Sequence, residues 1–143
     1  MIVLDTNVVS ELLRPVPEPR VEAWLAAQNG PDVHLTAISE AELRRGVCML
    51  PAGRRQAVLA DAIEAILKQD FAGRVLPFDS AAAKAFATIS LDRRKAGRPI
   101  SLPDCQIAAI VRFQHAAIAT RNVRDFEGCG IEVIDPWANT GAV

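Results

Sequence analysis

Asp5, Glu42 and Asp104 are carboxylates that each stand beside a short apolar run or at the entry to a helical pattern, and Asn122 follows a further apolar run at 116–119. Gathered at one site, such acids would repel one another and take up protons unless a cation compensated them. Mg²⁺ suits a set of this kind, since it takes oxygen ligands, keeps several waters and commonly uses one or two protein carboxylates. The chemistry would be activation of water and support of an in-line phosphoryl displacement.

Each position also has an ordinary structural reading, and both readings stand at this point. Asp5 joins the run 2–4 to an amphipathic stretch, where an aspartate commonly makes a turn or cap. Asn7 is the better-placed cap, which leaves Asp5 less to do structurally. Glu42 lies in Ser39-Glu40-Ala41-Glu42, a match to a capping box in which Glu42 reaches back to Ser39. Glu40 is about 200° around the helix from Glu42 and faces elsewhere. Asp104 follows Pro103, as the start of a helix and its dipole favour. Asp125 reads as a turn or capping residue.

The elements that must position these groups are short. Apolar, β-branched runs at 2–4, 33–35, 74–76, 116–119 and 131–134 alternate with helical patterns. That alternation predicts an α/β fold with a mostly parallel sheet of four to five strands flanked by helices. Ligands of open parallel sheets bind beyond the carboxyl ends of the strands, which marks Asp5, Thr36, Asp79 and Thr120. The helix after Thr36 then brings Glu42 to the same face.

The first helix places Val8, Val9, Leu12 and Leu13 on one side, with Pro15, Pro17 and Pro19 breaking it. Others are expected at 19–28, 39–50, 54–70, 80–96 and 103–114. In the 54–70 helix, Val58, Leu59, Ala62, Ile63, Ile66 and Leu67 are expected to face inward.

Half of the 143 residues are apolar, enough for one domain spanning 1–143. A formal net charge of −1 restricts any phosphate-binding surface to a local patch. Three scattered cysteines without a Cys-x-x-Cys argue against a disulfide framework or zinc ribbon and suit a reducing, cytoplasmic setting. No run reaches the ~18 uninterrupted apolar residues of a membrane helix, so no membrane association is expected.

Four stretches together resemble a known family: Leu4-Asp5-Thr6-Asn7-Val8, Ala41-Glu42-Leu43-Arg44-Arg45-Gly46, Pro103-Asp104-Cys105-Gln106-Ile107-Ala108-Ala109 and Ala119-Thr120-Arg121-Asn122. They look like the four motifs of PIN-domain ribonucleases, in order and across essentially the whole chain. The nearest subgroup is the VapC and FitB toxins of type II toxin-antitoxin pairs, which Phe71-Ala72-Gly73-Arg74 and the closing Asp135-Pro136-Trp137 also suggest. The resemblance implies a three-layer PIN-like fold and an RNA-cleaving site using Mg²⁺ or Mn²⁺. It makes Asp5 and Asp104 metal ligands, with Glu42 and Asn122 completing the catalytic set. It also implies a DNA-binding antitoxin partner and a homodimer. Asn122 departs from the family, where the fourth position is often Asp, and its amide supplies no negative charge. A catalytically weakened PIN domain that chiefly holds its antitoxin is therefore the alternative function.

Arg121 and Arg124 bracket Asn122 and are the preferred phosphate contacts. Arg44, Arg45, Arg93, Arg94, Lys95 and Arg98 read as solvated helix surface. Trp24 and Trp137 read as core or interface, and His34 and His115 are isolated and need not be catalytic. A third reading, with Asp5 as a phosphohydrolase nucleophile, would want a second acid where Asn7 stands.

Overall fold

A computed structural model of the chain describes residues 1–138, so the last five residues of the expected 1–143 domain lie outside the described residues. Strand β1 (Ile2–Leu4) is the centre of a five-stranded sheet. Around it lie β2 (Val33–Thr36), β3 (Val75–Leu76), β4 (Ala117–Ala119) and β5 (Glu132–Ile134), in the order β3-β2-β1-β4-β5. Every pairing is parallel, with Val3 opposite both His34 and Ile118. The chain runs outward from β1 through β2 to β3, then returns to the other side of β1 for β4 and β5. That reversal puts the topological switch point between β1 and β4.

Helices α1 (Thr6–Leu12), α2 (Pro19–Ala26), α3 (Ala37–Cys48), α4 (Arg54–Ala65), α5 (Ser80–Lys95), α6 (Leu102–Phe113) and the short α7 (Val123–Phe126) fill the connections. Side chains of successive strand residues point to opposite faces, so β1 feeds two cores. Leu4 packs with Val8, Val9, Leu43 and Trp24 on one side, while Val3 packs with Ile89, Ile107, Val111 and Phe126 on the other. The result is the three-layer α/β arrangement expected from the sequence. Trp24 and Trp137 are both buried in the first core.

Four local expectations are corrected. Asp5, not Asn7, caps α1: its Oδ1 accepts the Thr6 amide at 2.8 Å. Helix α3 starts at Ala37 rather than Ser39, because Thr36 ends β2 in an extended conformation and its hydroxyl accepts the Ser39 amide at 3.0 Å. The strand passes directly into the cap, and no capping box to Glu42 forms. Helix α4 ends at Ala65 and widens into a π turn over Ile66–Asp70, beyond which the Arg74 guanidinium binds the carbonyls of Asp70, Gly30 and Val33. Val58 is 60% exposed rather than inward.

Candidate active site at the carboxyl ends of the sheet

Asp5 leaves β1 at the switch point, where β1 and β4 run side by side. Its amide still pairs with the Ala119 carbonyl at 2.9 Å, so the residue is locked to the end of the sheet. The carboxylate is buried and holds three donors: Thr6 N at Oδ1, with Thr120 Oγ1 at 2.8 Å and Asn7 Nδ2 at 3.2 Å on Oδ2. Thr120 is itself fully used. Its hydroxyl donates to Asp5 and accepts from Asn7 Nδ2 and from the Asn122 amide at 3.0 Å.

Glu42 lies one turn into α3 and is held from α1, since Thr6 Oγ1 is 2.8 Å from Glu42 Oε1 and 3.0 Å from Ser39 Oγ. A hydroxyl has one proton. If Thr6 donates it to Glu42, Ser39 must donate to Thr6 and Thr36 to Ser39, across a 3.3 Å contact. Buried hydroxyls thus tie the end of β2 to the Glu42 carboxylate. Asp104 is the third residue of α6, whose N-cap Ser101 accepts the Asp104 amide at 3.3 Å. Asn122 is the exposed N-cap residue of α7.

One cavity of about 560 Å³ is lined by Asp5, Thr6, Asn7, Glu11, Glu42, Asp104, Arg121 and Asn122 together with Ser10, Arg14 and Trp137. All four predicted catalytic positions therefore open on the same space. Burial pushes the Asp5 carboxyl from its ordinary 3.8 up to about 6, despite the hydrogen bonds from Thr120 and Thr6, and the charges of Asp104 and Glu42 push the same way. Burial also raises Asp104, against a Ser101 hydrogen bond, with Asp125 adding repulsion and Arg93 opposing it.

An Asp5 carboxyl whose ionisation is disfavoured by burial and by the neighbouring acids is one that a divalent cation would relieve. Among the described residues no three His, Cys, Asp or Glu side chains are drawn together tightly enough to grip a metal as a closed cage. The open set fits Mg²⁺, which keeps much of its water and is bound through one or two carboxylates. Asp5 and Asp104 are the residues that would hold it.

Of the two predicted phosphate contacts, Arg121 lines the cavity, with its guanidinium 5.3 Å over the Trp137 ring. Arg124 is exposed and does not line it. Arg44 is taken up by ion pairs with Glu40 and Glu64. The sequence marks Thr120 as a strand-end position but not Thr6, Asn7, Ser39 or the buried Glu11 as parts of the site. Glu11 accepts from Arg14 at 3.2 Å and from the Glu18 amide at 3.3 Å, closing the far wall. Thr6 and Asn7 were within reach of a closer reading, because both directly follow the acid. Nothing local marks Ser39 as part of the site.

A parallel α/β sheet with an acidic cavity at its switch point defines the class as an α/β protein with a polar site at the carboxyl ends of its strands. The model of the PIN domain family matches residues 2–128. Over 137 residues, 96% of this chain, the chain is 40% identical to VapC ribonuclease Y4jK of Sinorhizobium fredii and 42% identical to Toxin FitB of Neisseria gonorrhoeae, covering 98% and 99% of them. Among solved structures, a FitAB complex bound to an IR36 DNA fragment aligns with a TM-score of 0.91 at 42% identity, covering 96% of both chains. VapBC-1 of nontypeable Haemophilus influenzae aligns at 0.73 and 25%, covering 95% of this chain and 98% of the other. The chain belongs to the PIN-domain family, in the branch of the VapC and FitB toxins.

Proposed function

We propose that the chain is a Mg²⁺-dependent endoribonuclease, with Mn²⁺ as a substitute ion, acting as the toxin of a type II toxin-antitoxin pair and using residues 1–143 as one PIN domain. The observation that carries this reading is the opening of Asp5, Glu42, Asp104 and Asn122 on one cavity, in a chain 40% identical to a VapC ribonuclease. Asp5 and Asp104 hold the ion. When bound, the ion lowers the pKa of water and shields the phosphate.

Glu42 keeps Oε2 available, because Oε1 is engaged by Thr6, and it orients the attacking water toward phosphorus and can take its proton. Asn122 offers an amide to the same water. Arg121, steadied on the Trp137 ring, contacts an RNA phosphate at the cavity rim, with Arg124 as an outer contact. The water oxygen bonds to phosphorus as the bond from phosphorus to the leaving ribose oxygen breaks; the proton Glu42 took from the water passes through solvent to that leaving oxygen, with no covalent protein intermediate.

The partner is an antitoxin that also binds DNA. An apolar groove of about 920 Å³ between α1, α3 and α4, lined by Leu13, Leu43, Val47, Leu50, Val58 and Ile63, shares Thr6, Ser10, Arg14 and Glu42 with the acidic cavity. An amphipathic antitoxin segment in the groove could extend a basic side chain into the acids. The chain would act as a homodimer, and the relatives solved as FitAB and VapBC complexes motivate that assembly.

The test is cleavage of RNA by purified chain freed of antitoxin, expected with Mg²⁺ or Mn²⁺ and stopped by EDTA. Asp5→Asn and Asp104→Asn should each abolish cleavage while remaining folded. Retained cleavage in both would remove the site assignment. A second reading is favoured by the neutral Asn122: a weakened nuclease that works chiefly by holding its antitoxin in operator regulation. A large gain of cleavage in Asn122→Asp would support it.

A further inference from the structure

Arg93 belongs to a basic run that reads from sequence as solvated surface, yet it is 5% exposed. Its Nε donates to the Arg98 carbonyl at 2.7 Å. One terminal nitrogen donates to the carbonyls of Asp125 at 2.7 Å and Glu127 at 3.0 Å and contacts Cys129 Sγ at 3.6 Å. Every acceptor is neutral, and among the described residues Arg93 takes part in no ion pair.

Burying a guanidinium without a carboxylate is costly, so the contacts it makes instead are informative. Arg98 lies in the loop that delivers Ser101 and Asp104. Asp125 and Glu127 lie at the end of the turn that Asn122 begins. One planar fork on α5 therefore joins the two segments that carry Asp104 and Asn122, both of which line the acidic cavity. Arg98 adds a weaker, exposed strap to the same turn through the Arg124 carbonyl at 3.1 Å and the Glu127 carboxylate at 3.0 Å.

We propose that Arg93 is a positioning residue for the acidic cavity: its buried guanidinium clamps the loop leading to Asp104 against the turn carrying Asn122, so that both open on Asp5. This inference rests on the metal-dependent reading above. It concerns how the site is held, not which groups react.

Arg93→Lys keeps the charge but replaces a rigid fork with a single ammonium on a flexible stem, which cannot reproduce the same set of contacts. Hydrogen exchange is measured on metal-free protein, and Mn²⁺ binding by electron paramagnetic resonance, both well below the melting midpoint. Protection is expected to fall selectively at 98–104 and 122–128 while β1 stays protected, and the Mn²⁺ Kd to rise by about tenfold. Arg98→Ala should change the Kd much less.

A folded Arg93→Lys with the parental Mn²⁺ Kd overturns the proposal, as does a loss of protection spread evenly over the chain. A parent that binds no Mn²⁺ overturns the metal reading and with it the role given to Arg93. A parent that binds Mn²⁺, paired with an unaffected variant, overturns the role of Arg93 alone. Should Arg93→Lys melt below the assay temperature, Arg93→Gln, neutral and cheaper to bury, takes the same test with the same outcomes.

Discussion

Thr120 Oγ1 donates to Asp5 Oδ2 at 2.8 Å and in the same position accepts the Asn122 amide at 3.0 Å. One hydroxyl thus couples the acid after β1 to the turn after β4. Thr120→Val keeps the shape and removes the donor, leaving a buried carboxylate short of a partner. The expected cost is about 1–3 kcal/mol of stability and about a tenfold loss of Mn²⁺ affinity, read by urea melts and metal titration. Thr120→Ser should restore both.

Asp5 makes stability depend on pH with a definite sign. Its folded carboxyl is raised to about 6 from 3.8, so its favourable contribution is full below the lower value and is lost as pH rises through the upper one. Asp5→Asn removes that loss. In EDTA the variant should gain on the parent by up to about 3 kcal/mol between about pH 4 and pH 8. Excess Mg²⁺ should reverse the comparison at the upper end, because the ion stabilises only the parent's ionised site. A pH-independent difference in melting would contradict the raised carboxyl.

Thr6→Val releases Glu42 from its hydroxyl partner without touching Asp5 Oδ2. We expect kcat for RNA cleavage to drop by about ten- to a hundredfold, with Mn²⁺ affinity near parental. Thr6→Ser should recover most of the rate. Equal losses in the two variants would show that the methyl group, not the hydroxyl, matters.

Asn122→Asp adds a charge at the cavity where the neutral amide now stands. Tighter Mn²⁺ binding is the expected result, seen in a direct titration, and the change in cleavage rate separates an active parent from a weakened one.

Val58→Asp alters the groove at a position that is 60% exposed. Stability should stay within about 0.5 kcal/mol and RNA cleavage near parental, while neutralisation by the cognate antitoxin falls. Unchanged neutralisation would move the antitoxin elsewhere on the surface.

All five strand runs were readable in the sequence, since a buried parallel strand shows as a short apolar run between turn signals and helical patterns. The boundaries moved by a residue or two. The positions just beyond β1, β2 and β4 were legible for the same reason, whereas the grouping of Asp104 and Asn122 with Asp5 and Glu42 came from the resemblance of the four stretches to PIN-domain motifs. The caps were misread because local rules had two good answers. Asn7 and Ser39 each satisfy the cap pattern, and the choice of Asp5 and Thr36 came from strands that run straight into their helices.

By itself, the order of apolar runs and polar punctuation determined the α/β class, the parallel sheet and the residues at its functional edge. Only the tertiary structure decided which hydroxyls serve those acids and which arginine lies beneath them. Thr120 reaches Asp5 across 115 positions, Thr6 reaches Glu42 across 36, and Arg93 reaches Glu127 across 34. Contacts at such separations leave no periodic trace, because a hydrogen bond between distant segments constrains no spacing within either one.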